Sequence, residues 1–432
     1  MTRFLACLTL GSALLAPTAQ ALPLFQSDTI SPGLAVEGPA RSIGAYDAYA
    51  TLPDGDRVVF DGLAVDLVRD DGTLVAVLGT ASRYGYPAFV VPDPTHAYAL
   101  VAESSGGKIR RVDLGGAGMT YLTHLDFAYD LVFEDGPSAL VSAAPCGFGC
   151  GSEIDRVDLV TGAVTLVASV SGPSGPLARD ADGNLYYGLQ NVLTPPVPVP
   201  ILRWTKAQVE SGALLRESDA TVFAPGLDAP SSMKFDPVSH HLIVADAPYY
   251  GTCRIREFTA AGQALGTLVE SAIYLSNVEP EITSGPGSCQ AFQPEGVALR
   301  FRRTDFQAST SEIRTLDAVR PQASMSGPGL SGPGAVTFHV AGAFPNASLI
   351  VVVGLKSTYD PSEPTYDLGT FLLHTGIDLH HARRLTTIAT DARGVATFTF
   401  QNPGGLEGTR MFQGWILDPN GILVGTSTAV SN

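Results

Sequence analysis

Pro230-Ser-Ser-Met-Lys-Phe-Asp236, then His241-Leu-Ile-Val-Ala-Asp246, then Cys253-Arg-Ile-Arg-Glu-Phe258, is the stretch on which the fold turns. Its short runs are rich in strand-forming residues and are broken by turn residues, the pattern of consecutive β-strands. The same grammar recurs at Pro87-Ala-Phe-Val-Val-Pro-Asp93, Ala97-Tyr-Ala-Leu-Val-Ala-Glu103 and Lys108-Ile-Arg-Arg-Val-Asp113. Further copies begin at Ala48, Ala128 and Ser174, and a shortened sixth begins at Pro294. Asp54-Gly55, Asp71-Gly72, Thr161-Gly162 and Asp182-Gly183-Asn184 mark tight hairpins within them. A period of about 40 residues before insertions is what four antiparallel strands and their turns require. The expectation is therefore an all-β chain with a six-bladed β-propeller over residues 22–320. The sixth copy has material for only two or three strands, so the segment from Thr29 to Val36 is expected to supply the missing outer one.

Beyond the propeller, Ser326-Gly-Pro-Gly-Leu-Ser-Gly-Pro-Gly334 reads as a joint, and a linker is placed at 321–334. Alternating runs such as Val336-Thr-Phe-His-Val340 and Val395-Ala-Thr-Phe-Thr-Phe400 predict a small Ig-like β-sandwich over 335–432. At the other end, Arg3, the apolar stretch Phe4 to Ala16 and Ala19-Gln20-Ala21 read as a Sec-type signal peptide over 1–21, cleaved after Ala21. A secreted or periplasmic product with no transmembrane segment follows. The formal charge of −16 argues against nucleic acid, which needs basic stripes, and is compatible with a monomer.

The motifs Pro-x-x-(apolar)-x-x-Asp, Asp182-Gly-Asn-Leu-Tyr186 and Val244-Ala-Asp246 resemble NHL-repeat propellers and their relatives, the gluconolactonase-like propellers, over about residues 28 to 320. The C-terminal part resembles β modules appended to secreted bacterial proteins. The propeller resemblance implies a divalent cation, calcium or another, in the central channel, held by Glu, Asn and Asp at the starts of innermost strands. Pro294-Glu295-Gly296-Val297 matches the first such motif, but Ser231 and Gly175 stand where the Asn and Asp belong, and Asp130 is the substitute candidate. A metal-dependent lactonase- or esterase-like hydrolase centred on Glu295 is thus the alternative reading. Asp246 and Glu103, ending second strands, read as structural.

The first reading is a non-catalytic binder without cofactor, since no nucleophile motif such as Gly-x-Ser-x-Gly is present. Its face follows from strand order. Pro145 to Ser152, Asn191 to Pro200 and Ala247 to Thr252 fall in second turns, and Ala272 to Ala291 is read as a link between blades, so all four decorate one rim. Long loops on a rigid scaffold concentrate binding sites, which singles out Phe148, Tyr249, Tyr250 and Tyr274 for a glycan, peptide or protein ligand. The cysteines remaining after cleavage are read as two disulfides, Cys146 with Cys150 and Cys253 with Cys289, the second clipping a turn to the neighbouring link. Trp204 to Leu215 is the one helical stretch.

Overall fold

The computed structural model describes residues 28–431 apart from 31–33, 70, 82–85, 105, 148–150, 191–196, 237–239, 250, 283–296, 319–321, 331, 342–346, 361–364, 368–371, 376, 378–381, 392–394, 404–408, 418–422 and 428. Phe148, Tyr250, Cys150, Cys289, Glu295 and the signal segment therefore lie outside the described residues. What is described is nearly all β, in many small, mostly antiparallel sheets.

Six of these sheets follow one another along the chain. The first runs through Ala48–Thr51, Arg57–Phe60, Ala64–Val68 and Leu74–Thr80, and the second starts at Pro87–Pro92. The third starts at Asp130–Phe133, the fourth at Leu177–Arg179, the fifth at Pro230–Phe235 and the sixth at Tyr274–Ile282. First strands of successive sheets pack side by side. Sixth and first meet through hydrogen bonds from Asn277 Nδ2 to the Tyr49 carbonyl (3.1 Å) and from Thr51 Oγ1 to Glu279 Oε2 (2.8 Å). This is the arrangement of a β-propeller.

The reason these strands assemble this way lies in where their apolar faces go. A sheet with apolar side chains on both faces must cover both, and each does so against its neighbours. Phe60, Val65, Val101 and Val112 fill the space between the first and second sheets. Leu100, Ile109, Leu131 and Val157 do so between second and third, Leu140, Tyr187 and Trp204 between third and fourth. Tyr186, Phe223, Met233 and Phe258 join fourth to fifth, and Ile255, Leu275, Leu299 and Phe301 join fifth to sixth.

The sixth sheet takes its outer strand from the N-terminal part, but later than the segment Thr29 to Val36 that was expected to supply it. Leu34–Gly44 pairs antiparallel with Thr310–Ala318, and Thr29–Ile30 adds to the outer edge of the fifth sheet. Asp28 anchors that segment by meeting buried Arg303 at 3.2 Å, and Arg303 continues to Glu312 at 2.8 Å. The first strand of this sheet is a correction. Tyr274–Ile282, read as part of an inter-blade insertion, is the inner strand, and Val297–Asp305 is the second. The expected link between sheets is thus contradicted over Tyr274–Ile282, and residues 283–296 lie outside the described residues. Asn277 explains why the strand is hard to see. Its left-handed φ of 48° sits at a shift in register between Ser276 and Glu279, a bulge that breaks the alternation.

The expected helix shortens to Lys206–Glu210, with Thr205 and Gln208 forming a capping box. Asp180 accepts from the Asn184 amide at 2.8 Å while Gly183 takes φ 83°, so that segment is a hairpin turn. Farther on, Gln322–Ser326 is already a strand, paired with Gly334–Ala341. The expected linker thus contributes to the C-terminal part. Two sheets there share one core of Phe338, Val340, Leu349, Val351, Phe412 and Ile416.

Candidate functional site

Second turns and inter-sheet links lie together because their backbones bond. The Ala247 amide donates to Ala229 O, Ala144 to Asp126 O and Ser104 to Tyr86 O. On this rim five aromatic rings come together. Tyr86 and Tyr46 have centroids 5.5 Å apart, Tyr46 and Phe306 6.3 Å, and Phe306 meets Tyr274 at 5.3 Å and Tyr249 at 6.2 Å, the last pair stacked. Four of them stand in solvent, with exposures of 51% for Tyr46, 65% for Tyr86, 73% for Tyr249 and 38% for Phe306. Single exposed apolar residues need no explanation, but a contiguous patch does. Beside the patch a recess of about 460 Å³ is lined by Tyr249, Ile273, Tyr274, Asp305, Phe306 and Gln307.

Each ring is placed by a local cause. Tyr46 rides the link between the sixth and first sheets, which Asp47 folds by accepting the Gly44 amide at 2.7 Å. Arg302, buried in the sixth sheet, grips the same link from below. Its guanidinium donates to the carbonyls of Gly44 (3.0 Å), Ala45 and Asp47, and its Nε to Ser311 Oγ (2.8 Å). Burial lowers the Arg302 pKa, while Asp47 counteracts. Phe306 heads the turn that follows Asp305, whose carboxylate accepts the amides of Gln307 and Ala308 at 2.9 and 3.0 Å.

Tyr249 and Tyr274 are thus brought together with three rings that sequence reasoning missed: Tyr46, Tyr86 and Phe306. The missed rings occupy short links and a short turn, where length gave no signal.

Cys253 corrects another expectation. It is a free thiol, 2% exposed, donating to the Pro248 carbonyl at 3.7 Å, and burial pushes its pKa up to about 11. At the start of its strand it faces the apolar packing between fifth and sixth sheets, with Ala247 and Leu275, and its expected partner Cys289 lies outside the described residues. Cys146 is disulfide-bonded, and its expected partner Cys150 is outside the described residues.

Below the rim, the first strands enclose a cavity of about 250 Å³ lined by Tyr49, Tyr129, Asp130, Lys234, Tyr274 and Glu279 among others. Tyr129 reaches across it and donates to Ser231 O at 2.8 Å. Asp130 faces this channel, but both its oxygens are used: one accepts the Leu177 amide (2.9 Å), the other that of Leu131 (2.8 Å). It ties the third sheet to the fourth. Burial raises its pKa and the Lys234 charge opposes that rise. A hard divalent cation needs several converging free oxygens, and the described residues hold no group of three or more His, Cys, Asp or Glu side chains suited to it. With a lysine ammonium beside the carboxylates, the described part of the channel does not fit the cation that the family resemblance implies.

Asp246 accepts the amides of Asp228 and Ala229, each at 2.8 Å, and meets Arg256 at 3.4 Å. Glu103 meets Arg110 at 3.3 Å. Both hold the scaffold, as read from sequence.

Burial pushes the pKa of Glu279 up to about 7 from 4.5, against the hydrogen bond from Thr51. A carboxyl whose folded pKa is raised favours the fold below its unfolded value, and that advantage is lost as pH rises through the folded value. Glu279→Gln should therefore stabilise the protein at pH 8 by up to about 3 kcal/mol and much less at pH 4. Urea unfolding at both pH values checks this; an equal effect at the two would refute the assignment.

No protein-family model matches the chain, and no curated protein matches it. Among solved structures it is similar to a gluconolactonase from Xanthomonas campestris, at 18% identity over 67% of this chain and 95% of that one, with a TM-score of 0.47. It is also similar to the calcium-binding protein regucalcin from Agrobacterium tumefaciens, at 14% identity over 67% and 96%, TM-score 0.43. A third is the PQQ-bound aldose sugar dehydrogenase from Streptomyces coelicolor, at 14% identity over 66% and 99%, TM-score 0.45.

Proposed function

We propose that this chain is an exported, closed six-bladed propeller that binds a neutral saccharide on its aromatic rim, with the C-terminal Ig-like sandwich as a spacer or attachment module. The observation that carries the reading is the row of rings Tyr86, Tyr46, Phe306 and Tyr249, contiguous and exposed. Sugar rings offer apolar C–H faces edged with hydroxyls. Tyrosine suits them, since it supplies rigid contact area at little entropic cost and a hydroxyl at its tip. Gln307 and Asp305 beside the rings offer polar partners at the edge of the recess. A formal charge of −16 disfavours acidic glycans at long range.

The test is calorimetric titration of the whole chain with neutral and uronic-acid oligosaccharides, with and without a chelator. Saturable binding of a neutral series, insensitive to chelation and with a negative heat-capacity change, is expected. Chelator-sensitive lactone hydrolysis without neutral glycan binding would overturn the reading in favour of the hydrolase.

A further inference from the structure

Among the described residues, the channel cavity holds one cation that no hydrogen bond or ion pair ties to the scaffold, though its charge acts on Asp130 and Glu279. Arg302 is committed to three carbonyls and a serine. Lys234 lines the same cavity and has no hydrogen-bond or ion-pair partner among the described residues. The carboxyls near it are already bonded, Asp130 to two amides and Glu279 to Thr51. Three of the channel hydroxyls are occupied too, with Tyr129 donating to Ser231 O, Ser231 to backbone carbonyls, and Ser232 accepting from the Val278 amide. What remains without a hydrogen-bond partner from the described residues is the half-buried Lys234 ammonium, a group with three donors and no acceptor of its own.

We infer that this cavity is a second binding site, below the aromatic rim and sharing only Tyr274 with its rings, for a small monovalent carboxylate held by Lys234. Three features narrow the ligand. Unused donors call for an acceptor, and an ionised acceptor makes the stronger bond. With Arg302 committed to carbonyls, one uncommitted cation flanked by two carboxyls tolerates one negative charge and repels a dianion. A volume of about 250 Å³ falls below the range of drug-sized pockets, so the ligand is small.

The site also carries its own pH control. Glu279 is faced by Thr51 and Tyr49 of the first sheet, Lys234 of the fifth, Arg300 of its own sheet, and Asp130 across the cavity. Its carboxyl gains charge through neutrality, which sets a negative charge beside the anion and weakens binding as pH rises.

Tyrosine fluorescence of the whole chain, titrated with sodium lactate and with lactamide at fixed ionic strength, tests the inference, because Tyr49, Tyr129 and Tyr274 line the cavity. Lactate is expected to saturate the signal at least tenfold more tightly than its neutral amide, and several-fold more tightly at pH 6 than at pH 8. Lys234→Met should abolish this preference, Lys234→Arg should keep it, and Glu279→Gln should flatten the pH dependence. Equal affinity for lactate and lactamide, absence of saturation by either, or a Lys234→Met protein of unchanged melting temperature that binds lactate as tightly would each overturn it. Should Lys234→Met fail to fold, the lactate-to-lactamide ratio in the unaltered chain and in Lys234→Arg decides. A failed saccharide titration leaves these outcomes untouched, since Tyr46, Tyr86, Tyr249 and Phe306, the row that carries the saccharide reading, do not line the cavity.

Discussion

Replacing Tyr46 and Phe306 together with alanine is expected to weaken saccharide binding at least a hundredfold while moving the melting temperature by only a few degrees. The two rings sit at the middle of the row, each touching the other and an outer neighbour. A central aromatic anchor costs about 2 kcal/mol or more when truncated. Since about 1.4 kcal/mol is tenfold in affinity, two such losses exceed a hundredfold even with the non-additivity expected of touching residues. Both side chains are exposed, so folding stability should change little. Calorimetry with the tightest neutral glycan, alongside thermal unfolding, reads both quantities. Unchanged affinity in a folded double variant would remove the rim from the account.

The second large effect concerns what stands under those rings. Arg302→Met should destabilise the fold by about 3–5 kcal/mol, because the buried carbonyl of Ala45 and the part-buried carbonyls of Gly44 and Asp47 lose their donor at once and Ser311 loses one of its partners. Arg302→Lys should rescue little, as one ammonium cannot span acceptors that a planar fork serves together. The link that Arg302 holds also carries Tyr46, so glycan affinity should fall in the fraction that remains folded. Urea denaturation with an unchanged slope, paired with the same titration, separates the two effects. A loss below about 1 kcal/mol would show that the link is held by other means.

How far the sequence led depended on which physics each residue obeys. Alternating strands broken by Asp-Gly turns are a local signal. They placed the first strands near Ala48, Pro87, Asp130, Leu177 and Pro230 closely, and they pointed to the N-terminal strand that completes the sixth sheet. Tyr274–Ile282 escaped because its bulge at Asn277 breaks the period, and its slot was given to the copy beginning at Pro294. That single displacement put the start of an inner strand at Glu295, whereas the described inner strand is Tyr274–Ile282.

The site was half legible for a related reason. Tyr249 and Tyr274 lie in or beside long insertions, which draw attention. Tyr46 and Phe306 are far apart in the chain and meet only where the sixth sheet meets the first, so no spacing rule could join them. The same closure brings Glu279 to Thr51 and sets the charge balance around Lys234. Cys253 misled because parity and export favour pairing, whereas a strand's first residue turned inward is simply core.

The most direct measurement of the central claim is the position of a neutral oligosaccharide in crystals of the complete chain. A sugar ring lying flat against Tyr46 and Phe306, with its neighbours running toward Tyr86 or Tyr249, is the predicted result. Sugar seated only on the opposite rim or on the C-terminal sheets, with those rings bare, would contradict it.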